Sequence, residues 1–202
     1  MKRALLAALL MALVATPATA GPSAADPAPD ARPGAHSVRL HDARGDTWRS
    51  SDFETGDVVS ARPAADVLRA GVAHGRHTVR VRMDFDNLRR ALTQWYYVEV
   101  HTPGATSWFI VEAERPHAYG IAYQDVKGEW VRVPGLRHTI DYARDVMTFR
   151  VPRSLVGDPP WVRVRLHNVL GVGEGVFYTD NPFNTGRQAD FTPRIPARQL
   201  TR

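Results

Sequence analysis

Cysteine is absent from the 202-residue chain, which rules out disulfide staples, thiol nucleophiles, thiolate metal centres and a lipid anchor on a lipobox cysteine. Catalytic signatures are missing too: there is no GxSxG elbow, no HExxH zinc motif and no Walker loop. Beyond the first twenty residues no apolar run approaches the roughly 20 residues that a spanning helix needs. Nor is there a block of one charge sign. Arg80, Arg82, Arg163 and Arg165 alternate with apolar residues, the pattern of a solvated strand face rather than of a nucleic-acid stripe. Nucleic acid is not an expected partner.

What is present begins with MKRALLAALLMALVATPATA. Lys2 and Arg3 form a positive n-region, Ala4 to Val14 a short apolar stretch, and Ala18-Thr19-Ala20 a small-residue cleavage site. Residues 1–20 therefore read as a secretory signal peptide, with a secreted, extracellular product expected after cleavage following Ala20. Losing Lys2 and Arg3 lowers the formal charge from +5 to +3, so the high pI reflects abundant arginine more than a large positive excess. The remaining chain is long enough to bury a core by packing alone.

Residues 21–36, GPSAADPAPDARPGAH, lack periodicity and read as a disordered leader. From residue 37 to about 186 the pattern is period two, broken at short intervals by Gly, Pro and Asp. This spacing predicts one domain, an all-β antiparallel sandwich of jelly-roll or immunoglobulin-like type. Residues 187–202 hold Pro193 and Pro196 and read as an extended, poorly anchored tail. In DVLRAGVAHGRHTVRVRMDF a Gly75-Arg76 type II′ turn would pair Val72 with Val79, Ala70 with Val81 and Leu68 with Met83, placing all six on one apolar face. Asp86 then reads as the N-cap of one short helical turn near 87–93, burying Leu88, Ala91 and Leu92. Turns around Asp125 to Gly128 and Ala143 to Asp145 close two further hairpins. Tyr123 is expected across from Trp130, with Met147, Phe149 and Val151 as an inward row. In WVRVRLHNV, Val162, Val164 and Leu166 point inward.

The ribbon QWYYVEVHT/SWFIVEAE carries more information. A four-residue loop over 103–106 puts Tyr96, Val98, Val100, Phe109, Val111 and Ala113 on the core face, and a two-residue Pro103-Gly104 loop sorts the faces identically. The other face holds Trp95, Tyr97, Glu99, His101, Trp108 and Glu112. Aromatic plates beside orienting carboxylates are what a glycan-binding surface requires; the same rings would also serve a face buried against another part of the fold.

Three segments in this order, ADVLRAGVAHGRHTVRVRMDF, TIDYARDVMTFRVPRSL and YTDNPFNTGR, resemble small secreted proteins of high-GC Gram-positive bacteria. Their sandwich is similar to the carbohydrate-binding family 9 and DOMON-like domains. The resemblance covers roughly residues 64–187 and rests on turns more than on site residues. It implies the fold and a broad ligand-binding class. The cysteine pair expected near the central strands of such relatives has no counterpart here.

Metal candidates are few. His74 and His77 would flank the Gly75-Arg76 turn about 5 Å apart at Cβ, near enough to share Zn²⁺ or Cu²⁺, with no third ligand apparent. Asp180, Asn181 and Asn184 in DNPFNTG supply oxygen donors for a structural Ca²⁺ ion, though Asx-Pro sequences also simply form turns. No other cofactor is expected. Gly171, Gly173 and Gly175 form a GxGxG run with no helix after it, hence a loop. Three function classes follow. The first is a non-catalytic domain binding a polysaccharide through the aromatic face. The second is a cell-surface protein-interaction or structural module using that face. The third is a hydrolase with Glu99 and Glu112 as an acid/base pair, which the missing motifs disfavour.

Overall fold

Among the described residues the period-two pattern resolves into fourteen strands. The structure, a computed structural model, describes residues 36–50, 56–58, 62–114, 117–172, 175–183 and 191–198. The expected signal peptide, all of the expected leader but His36, and Gly173 and Asn184 lie outside the described residues. The strands are β1 (Ser37–His41), β2 (Trp48–Ser50), β3 (Gly56–Val58), β4 (Val67–His74), β5 (Thr78–Phe85), β6 (Thr93–His101) and β7 (Thr106–Glu114). They continue as β8 (His117–Val126), β9 (Glu129–Val131), β10 (Arg137–Asp141), β11 (Val146–Pro152), β12 (Trp161–Gly171), β13 (Phe177–Asp180) and β14 (Ile195–Pro196). Two antiparallel sheets form, a five-stranded one ordered β1-β4-β5-β11-β10 and a larger one ordered β3-β2-β13-β12-β6-β7-β8-β9, with β14 on β12. The protein is an all-β sandwich.

Between the sheets lie the rows expected from the pattern. Val72, Val79, Val81 and Met83 from one sheet face Tyr96, Val98, Val100, Phe109, Val164 and Leu166 from the other, all at most 1 % exposed. Phe109 and Phe149 meet edge to face across the layers at 6.2 Å, as do Phe85 and Tyr96 at 5.8 Å. At one edge Gly120 takes φ +81°, and a Cβ there would stand 2.8 Å from Val111 and 2.9 Å from His138 Nε2. That close approach brings β10 against β8, where His138 Nε2 lies 2.9 Å from the Tyr119 carbonyl oxygen.

Several registers differ from expectation by two residues, a shift that preserves faces and so escapes the hydrophobic pattern. Gly75 N–H donates to Thr78 O, making Arg76-His77 the turn, and His74 pairs with Val79. The expected His74–His77 metal pair is thereby lost. His77 is exposed, whereas His74 is fully buried with Nδ1 2.9 Å from the Ile195 carbonyl oxygen. Leu68 is displaced by a bulge between Val67 and Arg69 and is only half-buried, with Val67 taking the core position. The β6–β7 hairpin uses the tighter Pro103-Gly104 turn, closed by Thr102 N–H to Ala105 O at 2.9 Å. Lys127 and Gly128, with φ 57° and 88°, form the β8–β9 turn, so Trp130 stands opposite Asp125 and not Tyr123.

No helix forms over 87–93, and Ala91 is exposed. The N–H groups that would start it have tertiary acceptors: Asp86 donates to Asp66 O, Asn87 to Pro63 O, and Leu88 to Asp145 Oδ1. Only a Leu92 N–H to Arg89 O turn remains. The helical turn of the fold is instead the 3-10 turn Arg153–Val156. The tail also departs from expectation, because residues 191–198 run along the β12 edge. Thr192 N–H donates to Val164 O, Ile195 pairs with Val162 at 2 % exposure, and Ala197 N–H donates to Pro160 O. Ile195→Ala should therefore lower unfolding free energy by about 2–5 kcal/mol in urea denaturation; a loss below about 0.5 kcal/mol, the value for a loose surface residue, would contradict this anchoring.

Candidate aromatic binding face

Because β6 alternates, the residues between Tyr96, Val98 and Val100 face outward, and those between Phe109, Val111 and Ala113 on β7 do the same. Trp95, Tyr97, Glu99, His101, Trp108 and Glu112 thus share the outer face of the larger sheet, in cross-strand pairs Trp95–Glu112 and Glu99–Trp108. The ladder beside β6 is β12, whose outward residues Trp161, Arg163, Arg165 and His167 complete the surface.

These side chains divide into committed and available ones. Trp95 is committed: its indole N–H donates to Glu112 Oε1 at 3.2 Å, and its ring lies over Gly171, where a Cβ would be 3.0 Å from Cζ3. Phe177 packs beside it at 6.3 Å. Tyr97 is held edge-on between His167 at 5.8 Å and Trp130 at 6.5 Å, and burial with the Glu112 charge pushes its phenol up to about 12. His101 lies between Trp161 and Phe191, at 6.0 and 5.8 Å, with Nδ1 3.0 Å from Thr106 Oγ1. Trp108 is available, with 37 % of its surface exposed.

Electrostatics centre on Arg165. Its guanidinium forms an ion pair with Glu99 and stacks 5.5 Å from the Trp108 ring centroid and 4.8 Å from that of Phe191. Arg163 also stacks on Phe191, at 5.3 Å, and Arg194 on Trp161 at 4.5 Å. Glu99 is 5 % exposed, and burial raises its carboxyl above the ordinary value despite the opposing pull of Arg165. Of the arginines expected to be solvated, Arg80 and Arg82 are exposed, whereas Arg163 and Arg165 are built into the aromatic surface on β12. Their outward direction was legible from Val162, Val164 and Leu166, but their position next to β6 was not.

Glu99 and Glu112 do not form a catalytic pair. They stand four residues apart along the ladder, ~13 Å of strand, beyond the roughly 5–10 Å that glycosidase carboxylates use. Each is also engaged, with Arg165 and with Trp95 respectively. Two grooves of the described surface lie elsewhere, one lined by Arg62, Asn87 and Leu92, the other by Pro103, Leu155 and Pro160.

Of the calcium donors expected in the DNPFNTG loop, Asp180 and Asn181 are both buried. Asp180 turns toward Asp42 and Asp46, and Asn181 Oδ1 is buried with no hydrogen-bond donor. Asn184 lies outside the described residues. No protein-family model matches this chain, and no curated protein matches it.

Burial, and secondarily the Arg165 charge, pull the His167 imidazole down to about 4. A lowered folded value gives stability that is present above the unfolded value near 6.5 and is lost as pH falls toward 4. On passing from pH 7 to pH 5, wild type should lose about 2 kcal/mol more unfolding free energy than His167→Gln. Equal losses in chemical denaturation would show that His167 is protonated in the fold.

Proposed function

We propose that this chain is an exported, non-catalytic domain that binds a polysaccharide across the outer face of its larger sheet. The observation that carries the reading is Trp108, a 37 %-exposed indole braced on one side by Arg165, which is itself fixed by Glu99. A pre-set apolar plate beside a charged hydrogen-bonding group suits the alternation of C–H faces and hydroxyl edges on a sugar ring. Arg163, His101 and Thr106 extend the surface along the ladder as further polar groups. Trp95, packed on Gly171 and Phe177 and bonded to Glu112, lies at the margin of this surface. Export rests on the signal-peptide pattern of residues 1–20.

The test is intrinsic tryptophan fluorescence of the mature protein, titrated with soluble cell-wall and plant polysaccharides. A saturable shift is expected with at least one glycan. Trp108→Ala should weaken it at least tenfold, about 1.4 kcal/mol or more, with the melting temperature little changed. Indifference to every glycan, together with a concentration-dependent dimer abolished by Trp108→Ala, would transfer the face to protein–protein contact. Tyr119 on β8, at 65 % exposure, would be the first residue to examine at that interface.

A further inference from the structure

At the end of the sandwich formed by the β1–β2 loop, the start of β4 and the end of β13, four aspartates converge. Asp42 and Asp46 come from the loop, Asp66 immediately precedes β4, and Asp180 ends β13. One carboxylate oxygen from each of Asp42, Asp46 and Asp180 lies within 4.8 Å of the others. Asp66 is tied into the same place, since its Oδ2 accepts the Gly45 N–H of that loop at 2.8 Å. Asp180 Oδ2 accepts the N–H of the next residue, Val67, at 2.5 Å.

A cluster of carboxylates alone would be unremarkable at a surface, but this one runs inward from the partly exposed Asp42 and Asp46. Asp66 and Asp180 are each 2 % exposed. Asp42 Oδ2, Asp46 Oδ1 and Asp66 Oδ1 are buried with no hydrogen-bond donor. The independent observation is Asn168. It is completely buried on β12, directly across the ladder from Asp180 and on the same face. Its amide Nδ2 donates to Ala65 O at 2.9 Å, next to Asp66, while its Oδ1 has no donor. A neutral amide oxygen gains nothing from carboxylate neighbours, and buried oxygens without donors are rare in folded proteins. No salt bridge among the described residues reaches Asp42, Asp46, Asp66 or Asp180. The loop's own Arg44 is directed outward, 70 % exposed, to Asp86 at 2.7 Å.

We infer that Asp42, Asp46, Asp66, Asp180 and the Asn168 amide oxygen form a Ca²⁺ site that joins the two sheets. The donors are all hard oxygens, with neither histidine nor sulfur, which favours Ca²⁺ over zinc or copper. Their number and irregular spacing suit Ca²⁺, with its 6–8 flexible ligands, better than octahedral Mg²⁺. Without a cation, burial raises all four carboxyls, Asp42 to about 7, and neighbouring aspartate charges add to the rise at Asp42, Asp66 and Asp180. A divalent ion would reverse that cost and cross-link the β1–β2 loop, β4, β12 and β13. The site is separate from the aromatic face and independent of the polysaccharide reading. It keeps Asp180 from the loop first expected to bind calcium and adds donors distant in sequence.

The test is calorimetric titration of EDTA-stripped mature protein with CaCl₂ at pH 7.5, paired with thermal denaturation in EDTA, Ca²⁺ and Mg²⁺. One Ca²⁺ should bind per chain. The melting temperature should rise by about 5–10 °C at a Ca²⁺ concentration one hundred times Kd, with a smaller rise in Mg²⁺. Asp46→Asn should lose Ca²⁺ affinity at least tenfold, yet in EDTA melt at or above the wild-type temperature because one repelling charge is gone. Asp158→Asn, an exposed carboxylate elsewhere, should respond to Ca²⁺ like wild type. Absence of binding up to 10 mM Ca²⁺ would overturn the site, as would affinity within twofold of wild type in Asp46→Asn.

Discussion

The parity of the Pro103-Gly104 turn is the constraint on which both the core and the candidate site depend. With Thr102 and Ala105 closing the turn, six apolar residues of β6 and β7 enter the core, and Trp95, Glu99, Trp108 and Glu112 stay outside. A one-residue slip of β7 would exchange its two sets, burying Trp108 and Glu112 and exposing Phe109. No local propensity has to enforce the register, because the cost of that exchange enforces it. The β4–β5 and β10–β11 hairpins obey the same rule, and their inner rows then meet β6 and β7 face to face.

Polar groups are distributed in two contrasting ways. On the outer face of the larger sheet nearly every charge is compensated: Glu99 has Arg165, Glu112 has the Trp95 indole, and the remaining arginines rest on rings. Such a surface is rigid before anything binds, which lowers the ordering cost of association. At the Asp180 end the reverse holds. Asp42 Oδ2, Asp46 Oδ1, Asp66 Oδ1 and Asn168 Oδ1 lie buried without donors, and Arg44 of the same loop pairs with Asp86 instead. The first arrangement is complete as a protein surface; the second becomes complete when a cation occupies it.

The segments that close the sandwich are those with the weakest local signals. Residues 191–198 contain two prolines and no alternation, yet Ile195 fills a core position and its carbonyl oxygen meets buried His74. The Arg76-His77 turn is held in place by that contact and by the Arg153 N–H to His77 O bond. The segment 87–93 shows the converse. Its sequence favours a helical turn, but Pro63 O, Asp66 O and the Asp145 carboxylate take the N–H groups that the turn would use.

The sequence by itself determined which residues face inward, because alternation is a local property: Met147, Phe149 and Val151, or Val162, Val164 and Leu166, could be assigned without knowing any neighbour. It likewise determined that Trp95, Tyr97, Glu99, His101, Trp108 and Glu112 share one face. Only the tertiary structure decided which strand lies beside which, and therefore that Arg165 braces Trp108, that Trp95 is pinned while Trp108 is free, and that Asp42, Asp66 and Asp180 meet. It also decided registers that differ by two residues, since such shifts leave every face unchanged. Pairing across long sequence separations leaves no periodic trace in the chain; it is set by how two patterned sheets close over a single core.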